Sequence, residues 1–176
     1  GRAVLYVSAQ RHWSVDRAAM VMGLLPGQIR ALAVDPEQRI QPRALQQAID
    51  QDRGEGKIPW ALVANAGATN TGAVDPLAEA ARICRDQGIW FHVDAAYGWP
   101  AILIPQGKIV LAGIELADSI TLDPHKWFAQ TFAAGCLLVR DGAILENTFR
   151  MRPEYMQDVV PQAGQINFAD HGLALT

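Results

Sequence analysis

The stretch DPLAEAARICRDQGIWFHVD, residues 75–94, decides the fold because it joins a complete helix to a complete strand. Asp75 and the proline after it are residue types preferred at a helix start, and Gly88 is the type preferred just past a helix end. The run 89–94 then stays mainly apolar until it reaches the acid Asp94. We therefore predict a helix from Asp75 to Gly88, capped by Asp75, followed directly by a buried strand.

The same alternation of helix and strand extends in both directions along the chain. Helices are predicted over 14–25, with Ser14 as N-cap, and over 41–56, with Pro42 in the first turn. Further strands are predicted at apolar runs bounded mainly by glycine or proline, namely residues 3–9, 29–35, 60–67, 119–123 and 135–141. Strands that are apolar on both faces and separated by helices indicate an α/β fold, a mostly parallel sheet flanked by helices on each side.

The composition is that of a globular protein of one-domain size. The 176 residues are 50% hydrophobic and carry 15 basic against 18 acidic side chains, enough apolar material for one core. The charges are dispersed, and no apolar run approaches the roughly 20 residues of a membrane span. No signal-peptide layout opens the chain. We therefore expect a cytoplasmic protein without nucleic-acid or membrane partners.

The two cysteines, Cys84 and Cys136, stand singly in a predicted helix and a predicted strand. We expect both to be reduced core thiols rather than metal ligands.

The ends of the sequence suggest a fragment. The chain opens on Gly1 rather than methionine, and FADHGLALT (168–176) stops in what reads as the opening of a helix. After Arg150 the periodic pattern fades into a long polar connection, a type of segment that is usually functional or mobile.

Polar side chains follow several of the predicted strands. Asn65, Asp94 and Asp123 each lie at a carboxyl end, where ligands bind in open α/β sheets. Asp94 is therefore a candidate ligand-binding residue. The alternative is that its carboxylate only caps the turn that follows.

The stretch SITLDPHKWF (119–128) adds a candidate nucleophile, since Lys126 stands between His125 and Trp127 just past a strand end. Apolar surroundings lower the pKa of a lysine and free its amine to attack carbonyls. The alternative is a surface lysine whose stem lies along Trp127. A lysine at one strand end and an aspartate at another are what pyridoxal phosphate requires, an amine for its aldehyde and a carboxylate for its ring nitrogen.

Two motifs, HVDAAYG (92–98) and ADSITLDPHKW (117–127), resemble the pyridoxal-phosphate-dependent group II amino-acid decarboxylases. The similarity runs from SAQRHWSVDRA (8–18) to RPEYM (152–156). It implies the large domain of the fold-type I pyridoxal-phosphate enzymes, lacking its upstream phosphate-binding segment and the small C-terminal domain. It also implies a homodimer with active sites at the subunit interface.

On this resemblance, residues 1–150 are part of the cofactor-binding large domain, and residues 151–176 are a mobile catalytic loop with the start of the next segment. Tyr155 would protonate the substrate carbon after carbon dioxide leaves. Thr69, in NAGATNTG, would help to hold the cofactor. Without the resemblance, Tyr155 is an exposed aromatic residue, and Thr69 and Thr71 serve only the backbone of a turn.

The resemblance also assigns roles around the cofactor ring. Lys126 would form an imine with the cofactor, and Asp94 would pair with the ring nitrogen. Ala96 would pack on one face of the ring, and His12 would stack on the other, near the leaving carboxylate. His125 would contact the phosphate or the substrate. The competing interpretation of His12 is a core or helix-capping histidine.

The implied activity is decarboxylation of an L-amino acid to an amine. Aromatic substrates are favoured, and glutamate, histidine and 2,4-diaminobutyrate remain open. The alternatives are another fold-type I enzyme, such as an aminotransferase, a lyase or an aldehyde-forming decarboxylase, and a non-catalytic dimerisation scaffold. Trp99 stands where relatives commonly carry a small residue, so we expect a pocket mouth that is narrower or differently shaped.

Overall fold

The computed structural model describes residues 1–150 and residue 172. The chain divides into two compact units, residues 1–138 and 139–176. The strands are β1 Ala3–Ser8, β2 Ile29–Leu32, β3 Ile58–Asn65, β4 Trp90–Asp94, β5 Ser119–Leu122 and β6 Cys136–Val139. The helices are α1 Trp13–Val21, α2 Pro42–Gly54, α3 Leu77–Gln87, α4 Pro105–Val110 and α5 Gly142–Phe149.

The six strands form one sheet in the order β2-β1-β3-β4-β5-β6. The pairs β1 with β2, β1 with β3, β3 with β4, and β4 with β5 are all parallel. The chain thus moves outward from β1 to β2 and then crosses back to the other side of β1. This reversal creates a topological switch point between β1 and β3, the kind of crevice where such sheets bind ligands. The predicted α/β class with a mostly parallel sheet is confirmed.

The two faces of the sheet differ in chemistry. One face packs against α2 and α3 in the main apolar core, whose largest buried members include Tyr6, Leu45, Leu62, Leu77 and Phe91. The other face carries α1 over a smaller apolar cluster, whose buried members are Leu5, Val7, Ala19, Ala61 and Val63. Beyond that cluster this second face becomes polar. The expectation of strands apolar on both faces is therefore wrong for β4 and β5, where side chains alternate between the core and a polar surface.

Helix α3 and strand β4 lie where the sequence predicts them, but Asp75 does not cap the helix. Gly88 ends α3 in the left-handed conformation, at φ 65°. The helix N-cap is Pro76, which makes no side-chain capping bond. The buried carboxylate of Asp75 instead accepts the backbone N–H groups of Ile40, at 2.7 Å, and Asn65, at 2.6 Å. Asp75 therefore stabilises the end of β3 rather than the start of α3.

Helix α1 is shorter than predicted and begins one residue earlier. Its N-cap is His12, not Ser14, and the His12 ring accepts the backbone N–H of Ser14 at 3.3 Å. The helix ends at Val21 because Gly23 adopts a left-handed φ of 82°, which breaks the helical path before the predicted stop.

The two cysteines lie in different environments. Cys84 is buried on α3, and burial raises the pKa of its thiol to about 12. Cys136 is free but exposed, because β6 lies at the end of the strand order and its residues are largely exposed. The prediction of a core thiol is therefore confirmed for Cys84 and wrong for Cys136. In the described part of the chain, no helix combines the length and apolarity needed to cross a membrane.

A buried carboxylate ties α2 to the sheet. Asp52 is fully buried, accepts the Tyr6 hydroxyl at 3.0 Å, pairs with Lys57 Nζ at 3.1 Å and also pairs with Arg30. Burial alone would raise the pKa of this carboxyl, but the hydrogen bonds from Arg30, Lys57 and Tyr6 outweigh burial and lower it. The charged form of Asp52 is therefore the form that the fold requires.

Asp52→Asn is expected to lower the free energy of unfolding of the full-length protein by about 3–5 kcal/mol, the usual cost of breaking a buried ion pair. Because folding lowers the pKa of Asp52, its contribution is fully present above the ordinary carboxyl range near pH 4. The contribution is lost as the pH falls through the folded-state pKa. Urea unfolding at pH 7 and at decreasing pH should therefore show the difference between wild type and variant shrinking in acid.

Asp50→Asn is the matched control, since Asp50 is exposed on the same helix. It should change the free energy of unfolding by no more than about 0.5 kcal/mol. An equally small effect of Asp52→Asn at pH 7 would contradict the role given to the buried cluster.

Candidate active site

The polar face of the sheet forms one wall of a pocket of about 570 Å³, a size typical of small-molecule sites. Its wall combines side chains from β1, β3, β4 and β5 with residues of α1. Five of the residues predicted for the site line it together, namely His12, Thr69, Asp94, Ala96 and Lys126. The structure thus brings together side chains separated by more than a hundred positions in the sequence.

One predicted residue is absent from the described lining, and another lies outside the described residues. The described lining does not include His125, whose exposed ring lies with Nδ1 2.8 Å from the carbonyl oxygen of Ala134. Tyr155 lies outside the described residues, so its predicted role stays a prediction.

Asp94 ends β4 in the middle of the pocket wall. In the parallel register it lies beside Asn65 of β3 and Thr121 of β5. Its Oδ1 accepts the backbone N–H of Ala96 at 3.1 Å. The turn-capping contact considered from the sequence therefore exists. The same carboxylate also lines the pocket, so capping and ligand binding are compatible.

Lys126 lines the pocket as half of an ion pair. Its Nζ lies 2.9 Å from Oδ2 of Asp123, and its side chain is 37% exposed. The predicted apolar surroundings are therefore not what the ammonium meets. Trp127 turns instead to Tyr97, with ring centroids 5.7 Å apart and the planes nearly parallel. Asp123 is a pocket residue that the sequence placed at a strand end but not in the site.

His12 caps α1 and also lies in the pocket lining, while its predicted stacking on the cofactor stays a prediction. Its Nδ1 accepts the backbone N–H of Ser14 and lies 2.7 Å from the Ser14 hydroxyl, so it caps α1. The residue also lines the pocket. The capping bonds hold the imidazole in place at the N-terminus of α1.

Sequence reasoning missed a hydrogen-bonded row on the same wall. Ser119 Oγ accepts Nε1–H of Trp90 at 2.9 Å and lies 2.8 Å from Nδ1 of His92. Thr121 Oγ1 lies 3.2 Å from Nε2 of His92. Burial lowers the pKa of His92, while the charge of Asp94 acts in the opposite direction. The alternation within WFHVD and SITL is the sequence signal that could have indicated this polar row.

The loops that follow β3 and β4 touch through their backbones. Gly67 has a left-handed φ of 99° and lies against Gly98. A Cβ on Gly98 would lie 2.2 Å from the carbonyl oxygen of Ala66, a distance that no side chain tolerates. This close approach holds the loop carrying Thr69 beside the turn that follows Asp94.

Trp99 does not narrow the pocket, contrary to expectation, because it is not part of the described lining. Its indole packs against the main core and lies 5.0 Å, between ring centroids, from Phe128. The residue therefore supports the fold beside the site.

Asn65 is a further pocket residue at the end of β3. Its side chain is only 4% exposed. Among the described residues, its Nδ2 has no hydrogen-bond partner. Buried amide groups without a partner are uncommon in folded proteins.

Comparison with known proteins identifies the family to which this pocket belongs. Residues 1–172 match the pyridoxal-dependent decarboxylase conserved domain. The aromatic-L-amino-acid decarboxylase of Bacillus atrophaeus is 48% identical over 175 residues, 99% of this chain and 36% of that protein. The phenylacetaldehyde synthase of Arabidopsis thaliana is 36% identical over 167 residues, 94% of this chain and 34% of that protein.

A solved structure shares the fold as well as the sequence. The crystal structure of Oryza sativa TDC with PLP and tryptamine matches 96% of this chain and 35% of its own, with a TM-score of 0.88 and 30% identity. The chain spans about a third of the length of the relatives that it matches. Over that third, both its sequence and its fold are similar to those of the relatives. The chain therefore belongs to the pyridoxal-dependent decarboxylase family.

Proposed function

We propose that the full-length protein is a pyridoxal-phosphate-dependent decarboxylase that converts an aromatic L-amino acid to the corresponding amine and carbon dioxide. The observation that carries the proposal is that Lys126 and Asp94 line one pocket. These are the amine and the carboxylate that the cofactor requires. The preference for aromatic substrates rests on the relatives named as aromatic amino-acid, tryptophan and tyrosine decarboxylases.

The residues of the pocket fit the cofactor. Lys126 offers an amine for its aldehyde, Asp94 offers a negative charge for its ring nitrogen, and the small side chain of Ala96 leaves room for a flat ring. When bound, pyridoxal phosphate withdraws electrons from the substrate's α-carbon and so lets carbon dioxide leave.

Each of these side chains has a distinct task in the proposed reaction. Lys126 Nζ would hold the cofactor through its aldehyde carbon, whose oxygen would leave as water, and Asp123 Oδ2, at 2.9 Å, would accept the proton that the ammonium must first release. Asp94 holds a proton on the ring nitrogen by its negative charge. His12 is fixed by its capping bonds and would pack on the cofactor ring. Tyr155 donates a proton to the substrate carbon afterwards.

The products formed by the full-length protein test this proposal. Incubation with pyridoxal phosphate and aromatic amino acids is expected to release amine and carbon dioxide in equal amounts. Glutamate, histidine and 2,4-diaminobutyrate serve as comparison substrates. Release of ammonia and peroxide together with an aldehyde would instead favour the second candidate, an aldehyde-forming decarboxylase, which the similarity to the phenylacetaldehyde synthase supports. Absence of any product would favour a non-catalytic scaffold.

We further propose a homodimer located in the cytoplasm. The segment 127–138 exposes several large apolar side chains, namely Trp127, Phe128, Phe132, Leu137 and Leu138. Clustered exposed apolar groups are typical of surfaces covered by further protein, and we propose that a second copy of the full-length protein contributes to that cover. The expectation of no nucleic-acid partner rests on the dispersed charges of the sequence.

A further inference from the structure

We infer that Asn65 is an additional cofactor-binding residue, whose side-chain N–H donates a hydrogen bond to the oxygen on the pyridine ring of pyridoxal phosphate. The inference rests on the proposed function and extends it to a residue with no role assigned so far.

The first observation is the unmet hydrogen bond. Asn65 is 4% exposed and lines the pocket, and among the described residues its Nδ2 meets no acceptor. Leaving a buried donor unpaired costs free energy, so such groups usually meet an acceptor in the working state of a protein. An acceptor that enters with a ligand would remove this cost.

The second observation is that the backbone of Asn65 is held in place. Both backbone groups of Asn65 are bound by Asp75. Its N–H donates to Oδ2 of Asp75 at 2.6 Å, and its carbonyl accepts the backbone N–H of Asp75 at 2.9 Å. Burial raises the pKa of the Asp75 carboxyl, and the two backbone N–H groups that it accepts act against that rise. The position of Asn65 on the pocket wall is therefore set by the backbone.

The third observation is the position of Asn65 relative to Asp94. The two residues are register partners on β3 and β4, and adjacent strands lie about 4.8 Å apart. The ring oxygen of pyridoxal phosphate is attached to a carbon two positions from the ring nitrogen. If Asp94 holds the nitrogen, that oxygen can point toward β3 or toward β5, the two strands beside β4. On the β5 side Thr121 already engages His92, whereas on the β3 side Asn65 is unpartnered. The free donor therefore indicates the side on which the ring oxygen lies.

Binding of two cofactor forms tests the inference. Apo full-length protein is titrated with pyridoxal phosphate and with its analogue lacking the ring hydroxyl, and each dissociation constant is read from the change in absorbance. Asn65→Leu is expected to weaken binding of pyridoxal phosphate by about 10- to 100-fold, the usual effect of losing a hydrogen bond to a charged group. Binding of the analogue should change by less than about twofold, since it has no oxygen to lose.

Asn65→Ala repeats the test with a side chain that has no donor in any protonation state, and it should show the same selective loss. Asn70→Leu is the matched control, because Asn70 is exposed and is not part of the described pocket lining. It should leave both dissociation constants unchanged.

Three results would overturn the inference. Equal weakening of both cofactor forms by the Asn65 variants would mean that Asn65 only supports the wall, and unchanged binding of both would mean that it makes no contact. Either result leaves the proposed function intact if the wild-type protein binds pyridoxal phosphate. A wild-type protein that binds neither form would overturn the proposed function together with the inference.

Discussion

Lys126→Ala is expected to abolish the near-visible absorbance of the bound cofactor and to reduce kcat by about 10³-fold or more, a loss at the level seen for positioned proton-transfer groups. In the proposed function this side chain supplies the amine for the cofactor, and its Nζ lies on the pocket wall beside Asp123. Among the described lining residues Lys126 is the amine, so removing it leaves the carboxylates of Asp94 and Asp123 without that group. The measurement is the absorbance spectrum together with amine release by the full-length protein. Borohydride reduction followed by mass spectrometry should find the cofactor on the peptide carrying Lys126 in the wild type and on no peptide in the variant.

The control for this experiment is Lys108→Ala, since Lys108 is an exposed lysine on α4. It should retain the spectrum and the turnover of the wild type. Turnover at the wild-type rate in Lys126→Ala would contradict the covalent role of Lys126.

Asp94→Asn is expected to reduce kcat by about 10²- to 10⁴-fold while the protein stays folded. Asparagine keeps the size of the side chain and an oxygen that can accept the backbone N–H of Ala96, so the turn is preserved. Only the negative charge is lost, and with it the stabilisation of a proton on the ring nitrogen. The rate is measured by carbon dioxide release, and folding by circular dichroism.

A cofactor with a permanently charged ring separates this explanation from a general defect. Pyridoxal phosphate methylated on the ring nitrogen needs no carboxylate to keep its charge, so it should restore part of the turnover of Asp94→Asn. Asp86→Asn, on the exposed side of α3, should behave as the wild type with either cofactor. If the methylated cofactor fails to help the Asp94 variant although it binds, the electrostatic role of Asp94 is wrong.

The fold was predictable wherever a local sequence signal, such as a terminating glycine or an apolar run, agreed with the way that the helix or strand packs. The glycine after α3 and the apolar run that follows specify a helix and a strand, and both are present. The end of α1 was not predictable from Pro26, because the left-handed Gly23 stops the helix first. Cys136 was wrongly placed in the core because its apolar neighbours suggest burial, while the strand order leaves β6 at an end of the sheet.

The candidate site was predictable for residues that stand at strand ends, and less so for the groups that hold them. Asp94 and Lys126 could be selected by position and residue type, but the ion partner of Lys126 depends on a turn that returns its side chain to Asp123. The hydrogen-bonded row around His92 was not predicted, because the mainly apolar run that forms β4 obscures the alternation of core-facing and pocket-facing side chains. The unmet donor of Asn65 becomes visible only when every neighbouring acceptor has been placed.

The contact between Gly67 and Gly98 has a consequence for how this pocket can diversify. Since main chain meets main chain there, the gap between the two loops is fixed without the help of any side chain. Substitutions elsewhere on the pocket wall can therefore change the ligand specificity while the distance between the two loops stays constant. A single methyl group added at position 98 would remove that freedom, because it would force the loops apart.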